Sequence, residues 1–175
     1  TGSLANLGYS PTIPGHMTSF VYGCLEGFVR HNGRLGVYEP WLFVSWEQDP
    51  AEKYVIFHLR EGVKYHDGTD FNAQAVKDYL DLHQKLTPGW LANVTSTEIV
   101  NQYTVKLNTS YFDLVMWAQL NEQTASPTQL AKGEEACLYN PVGTGPFKFV
   151  EYKRDQYLKY ERFDDYWAGK PYLDG

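Results

Sequence analysis

A glycine-rich loop, Gly143-Thr144-Gly145, is the part of this sequence whose composition comes nearest to a phosphate-binding loop. Such loops bind the anion with backbone amides at the start of a following helix, where the helix dipole adds positive charge. Here the loop is followed by Pro146 and by an alternating, strand-like pattern. The sequence therefore does not predict nucleotide binding, and the glycines are interpreted as points where the backbone bends tightly.

The histidines are candidate metal ligands or bases, but their spacing favours neither role. His58, His66 and His83 do not form the HxxxH or HExxH patterns with which helices hold zinc. His83 falls on the apolar stripe of a predicted helix and is interpreted as a core residue. His66-Asp67 precedes Gly68, which predicts a turn whose carboxylate accepts backbone amides. No metal and no cofactor is expected.

The candidate nucleophiles and acidic pairs also lack the spacing found in catalytic sites. No serine lies in a nucleophile elbow, and neither Cys24 nor Cys137 has a patterned histidine partner. The adjacent pair Glu134-Glu135 is typical of a solvated surface. The sequence thus predicts a protein that is not an enzyme, with a hydrolytic carboxylate pair kept as the alternative from another class. The two cysteines are compatible with a disulfide or with two buried free thiols.

Composition narrows the remaining classes of function. The chain has 175 residues and a net charge of −6, which argues against nucleic acid as a partner. No apolar run approaches the roughly 20 residues of a membrane-spanning helix, and no signal-peptide pattern is present. Aromatic residues make up 16% of the chain, so we expect most to fill a core and a few to line a cleft. Composition leaves the cellular compartment open.

The elements that position these residues are organised around the stretch from Tyr54 to Leu86. Tyr54–Leu59 is rich in β-branched and aromatic residues and predicts a strand buried on both faces. Asn72 is a predicted N-cap. The helix that follows carries an apolar stripe, with these members: Val76, Tyr79, Leu80, His83 and Leu86.

Further elements follow from periodicity and turn chemistry. The predicted elements are a helix over 17–25, a hairpin turning at Asn32-Gly33, a hairpin turning at Asn101-Gln102, a helix capped by Ser110, a short helix capped by Ser126, and strands over 147–152 and 157–162.

Two long motifs carry a family resemblance. The first is F-x-L-R-x-G-V-K-Y-H-D-G-T-x-F, at residues 57–71, and the second is N-P-V-G-T-G-P-F, at residues 140–147. With the closing Y-W-x-G-K-P-Y-L-D at 166–174, they resemble the family 5 solute-binding proteins of ABC importers, the peptide/nickel/opine branch. The chain departs from the family at Phe43, where a small residue is usual, and at Asn72–Val76, where the family has Thr-Ala-Glu-Asp-Val.

The resemblance implies an α/β fold, a mixed sheet with flanking helices, as in lobe I of a type II periplasmic-binding protein. Residues 1–175 would form part of that lobe, and a second lobe of the full-length chain would be absent. The implied function is an extracytoplasmic receptor, periplasmic or a cell-surface lipoprotein, that delivers an oligopeptide to an ABC permease. Oligosaccharides and nickel complexes are the alternatives within the family.

The resemblance also implies where a solute would be contacted. The candidates lie at the entry of the N-terminal helix (Phe20 and Tyr22), at the start and end of the Tyr111–Glu122 segment (Trp117 and Asn121) and in the glycine-rich loop (Thr144 and Gly145). Trp90, which follows the helix stop at Pro88-Gly89, is a further candidate, because a loop aromatic at the rim of a cleft can close over a ligand. Ordinary packing is the alternative explanation for each. Trp117 in particular lies within a helical pattern.

Overall fold

The chain divides into two compact units in the computed structural model. The structure describes residues 24, 26–31, 33, 37–49, 51–87, 89–121, 124–133, 136–137, 140–153 and 156–175. Gly27–Glu61 and Phe71–Glu122 form the sheet unit. Thr1–Glu26, Gly62–Asp70 and Gln123–Gly175 form the loop unit. The helix predicted over 17–25 falls almost wholly outside the described residues.

The sheet unit is built on a four-stranded sheet of order β3-β4-β6-β5 and a separate pair, β1-β2. Its strands and helices, in chain order, are β1 (Val29–His31), β2 (Tyr38–Pro40), β3 (Phe43–Asp49), β4 (Tyr54–Leu59), α1 (Ala73–Leu86), β5 (Val94–Asn101), β6 (Thr104–Thr109) and α2 (Val115–Leu120). Every pairing among the described strands is antiparallel, where the sequence predicted a mixed sheet.

Stacked aromatic rings form the core of the sheet unit. The Phe28 ring lies 4.7 Å from that of Phe43, and Phe43 lies 4.5 Å from Phe57. Tyr79 of α1 meets Phe28 edge-on at 5.6 Å. All four side chains are buried, and aromatic pairs at these distances add about 0.5–1.5 kcal/mol each beyond the area they bury.

Local chemistry fixes both ends of α1. The side chain of Asn72 accepts the backbone N–H of Ala75 at 3.0 Å, which confirms the predicted N-cap. Thr87 closes the helix through a bond from its N–H to the carbonyl of His83. The predicted stripe is buried except at its last member, Leu86, which is exposed.

The loop unit contains less regular structure. It comprises the short helix α3 (Pro127–Leu130) and the antiparallel hairpin of β7 (Phe147–Lys153) and β8 (Tyr157–Arg162). Ser126 caps α3 by accepting the N–H of Thr128 at 3.2 Å, as predicted. Cys24 and Cys137 are buried free thiols, and burial raises the pKa of Cys24 to about 12.

Two predictions about the sheet unit are wrong in detail. The β4 strand is buried on one face only, because Tyr54, Ile56 and His58 alternate with the buried side chains and remain partly exposed. The helix predicted from Ser110 begins instead at Val115. The N–H and the hydroxyl of Ser110 both donate to the carbonyl of Asn93, at 2.8 and 3.2 Å, and the side chain that accepts the N–H of Val115, at 2.9 Å, is that of Asp113.

Within the described residues, helices are too short or too polar to cross a lipid bilayer.

Candidate functional site

The glycine-rich loop of the loop unit is held by hydrogen bonds from several segments. The N–H of Gly145 donates to the carbonyl of Cys24 at 3.0 Å, and the N–H of His66 donates to the carbonyl of Gly143 at 2.9 Å. The imidazole of His66 reaches the same loop, with Nε2 at 2.9 Å from the Gly145 oxygen and Nδ1 at 3.4 Å from the Gly143 nitrogen.

These contacts assign the protonation state of His66. Gly143 N–H can only donate, so Nδ1 is the acceptor, and Nε2 carries the proton that is donated to Gly145. The imidazole is therefore neutral. Burial lowers the pKa of His66 and outweighs the opposing bond to Gly145, while the positive charge of Lys148 lowers it further. If Nδ1 also carried a proton, its N–H would face the N–H of Gly143, and because neither group can accept, this contact would be lost.

Glu26 is the second anchor of the loop. It is 9% exposed, and its Oε2 accepts the Thr144 hydroxyl at 3.1 Å and the Trp167 Nε1–H at 2.7 Å. Its Oε1 accepts the Tyr166 hydroxyl at 2.6 Å. One buried carboxylate thus joins the glycine-rich loop to the Tyr166-Trp167 segment, and hydrogen bonds to a charged acceptor are the stronger kind.

Asp67 organises a third connection within the loop unit. Its Oδ1 accepts the N–H of Thr69 at 3.0 Å, as the turn prediction required. Its Oδ2 accepts the hydroxyls of Ser126, at 2.5 Å, and Thr128. Burial alone would raise the pKa of Asp67, but these hydrogen bonds to the charged form outweigh it and lower the pKa.

The sheet unit contains a groove of about 300 Å³ lined by four aromatic and three other side chains: Tyr38, Trp46, Phe112, Trp117, Val37, Gln48 and Leu114. Two of the lining rings, those of Trp46 and Trp117, pack together with centroids 4.7 Å apart and planes inclined by 48°. Trp117 also meets Phe57 edge-on at 5.5 Å. The groove therefore offers aromatic faces and one amide, with no charged group in its lining.

The predicted solute contacts fall in different places. Thr144 and Gly145 lie in the loop unit, where their hydroxyl, N–H and carbonyl are used in the bonds given above. Trp90, Trp117 and Asn121 belong to the sheet unit. Phe20 and Tyr22 lie outside the described residues. Contact with a solute stays a prediction for all seven.

Within the sheet unit the three predicted residues have different surroundings. Trp117 lies in the groove. Trp90 is buried and stacks on His83, with ring centroids 3.7 Å apart, and its Nε1–H meets no acceptor in the described structure. Asn121 ends α2 and is half-buried. A Cβ on Gly27 would lie 2.5 Å from the Asn121 carbonyl oxygen, so these backbones touch closely.

Sequence reasoning missed Glu26 and the groove. Glu26 sits in no motif used for prediction, and its partner Thr144 is 118 positions away. The sequence did contain one hint of such an acceptor, because Tyr166 and Trp167 are adjacent hydrogen-bond donors within a motif that resembles the family. The groove combines three separate segments, and only Trp117 among its lining was singled out beforehand.

The described residues include no cluster of three or more His, Cys, Asp or Glu side chains that could hold a metal ion. The polar groups of the loop unit that are described above bond to one another. The hydrogen bonds of Glu26, His66 and Asp67 hold the backbone of the loop unit in place. The groove of the sheet unit offers a surface for contact, and its lining contains no reactive group.

Comparison with known proteins identifies relatives. Residues 37–175 match the model of the family described as bacterial extracellular solute-binding proteins, family 5. The glutathione-binding protein GsiB of Shigella flexneri serotype 5b is 37% identical over 126 residues, which is 66% of this chain and 24% of that protein. The dipeptide-binding protein of Escherichia coli K12 is 30% identical over 165 residues, 77% of this chain and 31% of that protein.

A solved structure shows the same fold. AgaA of A. tumefaciens R10, in complex with agropinic acid, aligns with a TM-score of 0.78 and 32% identity over 99% of this chain and 36% of its own. The predicted α/β fold of the type II periplasmic-binding kind is confirmed. The chain spans about a quarter to a third of the length of these relatives.

Proposed function

The chain belongs to the bacterial extracellular solute-binding proteins of family 5, and from this premise we propose that it is part of an extracytoplasmic receptor for oligopeptides. The receptor captures a peptide and passes it to an ABC permease in the membrane. Family members are substrate-binding proteins and not enzymes, in agreement with a sequence in which no reactive constellation was found.

The observation that carries the peptide assignment is similarity to two binders of short peptides. GsiB is named for glutathione, a tripeptide, and the Escherichia coli relative is named for dipeptides. The groove of the sheet unit, with aromatic walls and no charged lining, supports contacts that do not depend on one peptide sequence.

The receptor we propose has a second lobe, and it holds the solute by closure of the two lobes. In this proposal residues 1–175 supply part of the first lobe. The predicted contacts Phe20, Tyr22, Trp90, Trp117, Asn121, Thr144 and Gly145 are its share of the solute surface. The 175-residue chain alone then binds solute weakly or not at all, because half of the enclosing surface is missing. We place the receptor in the periplasm or, as a lipoprotein, at the cell surface.

An opine is the second candidate solute. The structure of AgaA with agropinic acid is 32% identical to this chain and covers 99% of it. Opines combine amino-acid and sugar-derived groups, so a surface that accepts peptides by generic contacts offers partners for them as well.

The test begins with the reading frame beyond Gly175. The complete protein is expressed and titrated calorimetrically with glutathione, dialanine, trialanine and pentaalanine, and in parallel with agropinic acid, nickel–histidine and cellotriose. We expect saturable heat with at least one peptide. If heat is released only with agropinic acid, with the nickel complex or with the sugar, the solute is not a peptide. If a peptide is cleaved during the titration, the protein is not a receptor that releases its solute unchanged.

A further inference from the structure

The groove of the sheet unit exposes apolar side chains to water. Val37, Phe112 and Leu114 line it and are 42%, 40% and 71% exposed. Holding such surface in water is unfavourable, so an apolar side chain that enters the groove gains by covering it. The groove has a volume of about 300 Å³, at the lower limit of small-ligand pockets, roughly 300–1,000 Å³. It therefore suits one side chain of a solute better than a whole solute.

Gln48 supplies the amide of the described lining. It follows Trp46 by two positions on β3, so both side chains lie on the same face of the strand. Their partners on β4 are Val55 and Phe57, which are buried. An amide donates and accepts hydrogen bonds but carries no charge. Gln48 can therefore bond to a peptide group or a hydroxyl, and it cannot neutralise a charged side chain.

The two carboxylates next to Gln48 in the sequence are bound elsewhere. Glu47 lies on the other face of β3, where its Oε1 is 3.1 Å from Nε2 of His58. Oδ1 of Asp49 accepts the backbone N–H of Ala51 at 2.9 Å. A charged side chain that enters the groove would leave water without meeting an opposite charge in the described lining. This transfer is unfavourable, so the groove favours an uncharged side chain.

We propose that the groove selects peptides by one side chain, which is aromatic or large aliphatic and uncharged, and that Gln48 excludes charge at this position. This selectivity rests on the peptide receptor proposed above and names the class of peptide that it takes. Trp117 connects the two, because it is a predicted solute contact and also lines the groove. The other residues of the peptide are free to vary, since the groove has room for one side chain.

A series of tripeptides tests the selectivity. The complete protein is titrated calorimetrically with trialanine, and with tripeptides in which each alanine in turn is replaced by phenylalanine, leucine, glutamate or lysine. At one position we expect phenylalanine and leucine to strengthen binding about ten-fold relative to alanine, because a large apolar side chain is buried there. Glutamate and lysine at the same position are expected to bind no more tightly than alanine.

A change of charge at Gln48 tests its role directly. Gln48→Glu keeps the shape of an exposed side chain and adds a carboxylate to the groove. We expect the affinity for the lysine peptide to rise about five-fold and that for the glutamate peptide to fall, because the new charge attracts one and repels the other. The matched control is Gln102→Glu, at an exposed amide of the β5–β6 turn outside the described lining. It is expected to keep the wild-type order of affinities.

The apolar surface is tested at its most exposed member. Leu114→Gln, at a position that is 71% exposed and where folding is not at risk, is expected to reduce the preference for phenylalanine over alanine about three-fold. Leu173→Gln changes a leucine of the loop unit that is 67% exposed. This control is expected to keep the full preference.

The contrary results separate the selectivity from the receptor function. If the wild type binds tripeptides but prefers phenylalanine and leucine at no position, or accepts glutamate or lysine equally well there, the selectivity is wrong and the receptor stands. The same holds if Gln48→Glu leaves the lysine peptide as weak as before, or if Leu114→Gln keeps the full preference for phenylalanine. If the complete protein binds none of the tripeptides, the receptor for peptides is wrong and the selectivity with it.

Discussion

Thr144 donates its hydroxyl to the buried carboxylate of Glu26 across 118 positions of sequence. The same carboxylate accepts from Tyr166 and from the indole of Trp167. The glycine-rich loop is therefore part of a bonded network in which Glu26 is the common acceptor. Glu26 thus connects two stretches that carry the family resemblance, residues 140–147 and 166–174, and the N–H of Phe163, which donates to the carbonyl of Pro146 at 2.9 Å, adds a second connection close by.

Replacing Glu26 by Gln tests the network. An amide has one oxygen in place of two, so at least one of the three donors is left without its acceptor. A buried donor without a partner costs about 1–3 kcal/mol, and we expect the free energy of unfolding in urea to fall by that amount. Glu161→Gln, at an exposed position of β8, is the matched control. Equal stability of the two variants would contradict the role given to Glu26.

Replacing His66 by Phe tests the contact between the imidazole and the loop. Phenylalanine keeps an aromatic ring beside Phe163, whose centroid lies 5.1 Å from that of His66, but it cannot accept the N–H of Gly143. We expect hydrogen exchange of the Gly143 amide to become about five-fold faster, since one hydrogen bond is worth about 1 kcal/mol.

The control for this exchange experiment is His58→Phe, because His58 lies in the sheet unit. Its imidazole faces Glu47 at 3.1 Å, so its loss leaves the glycine-rich loop untouched. Unchanged exchange at Gly143 in the His66 variant would show that Nδ1 is not its acceptor.

Acid is predicted to destabilise the protein through His83. Burial lowers the pKa of His83 to about 4, against 6.5 for an unperturbed imidazole. Between these values the unfolded chain binds the proton and the folded chain does not, so stability falls as pH drops from about 6.5 towards 4. The contribution is at most about 3 kcal/mol. It is complete above pH 6.5, where both states are neutral.

The measurement is the free energy of unfolding at pH 7.5 and at pH 4.5, for the wild type and for His83→Phe. Phenylalanine preserves a ring for stacking on Trp90 and does not titrate. We expect the variant to lose less stability on acidification. His66, whose pKa is also lowered, contributes in the same direction in both proteins. A loss in the variant as large as in the wild type would exclude His83 as the titrating group.

The close approach of Gly27 to Asn121 predicts a steric effect. A Cβ at Gly27 would lie 2.5 Å from the Asn121 oxygen and 2.9 Å from its carbonyl carbon. These are backbone atoms, which cannot rotate away. Gly27→Ala is expected to cost about 1–3 kcal/mol of unfolding free energy, as other overpacking substitutions do. Melting at the wild-type temperature would show that the two backbones are farther apart.

The sequence predicted the elements whose causes are local. The Asn72 cap, the apolar spacing of α1 and the Asn101-Gln102 turn each depend on residues a few positions apart, and the structure has all three. The start of α2 was placed too early, because the local signal is Asp113, whose side chain accepts the N–H of Val115, and not Ser110, which bonds to Asn93 17 positions away.

Long-range contacts also explain what was missed in the candidate site. The residues next to Glu26 in the sequence do not predict the three side chains that donate hydrogen bonds to it. The groove requires β2, β3 and the segment before α2 to meet, and side-chain periodicity within one strand does not specify which other strands or loops will lie beside it. Trp117 was identified because the family resemblance places the Tyr111–Glu122 segment at the solute cleft, and not because its own sequence predicted the neighbours that line the groove with it.

The most direct measurement of the central claim is calorimetric titration of the complete protein that carries this chain with glutathione and dialanine. A receptor for oligopeptides predicts saturable heat with one-to-one stoichiometry, and intact peptide recovered afterwards. The same titration of the 175-residue chain is expected to give little or no heat. No binding of any peptide by the complete protein, or cleavage of the bound peptide, would contradict the account.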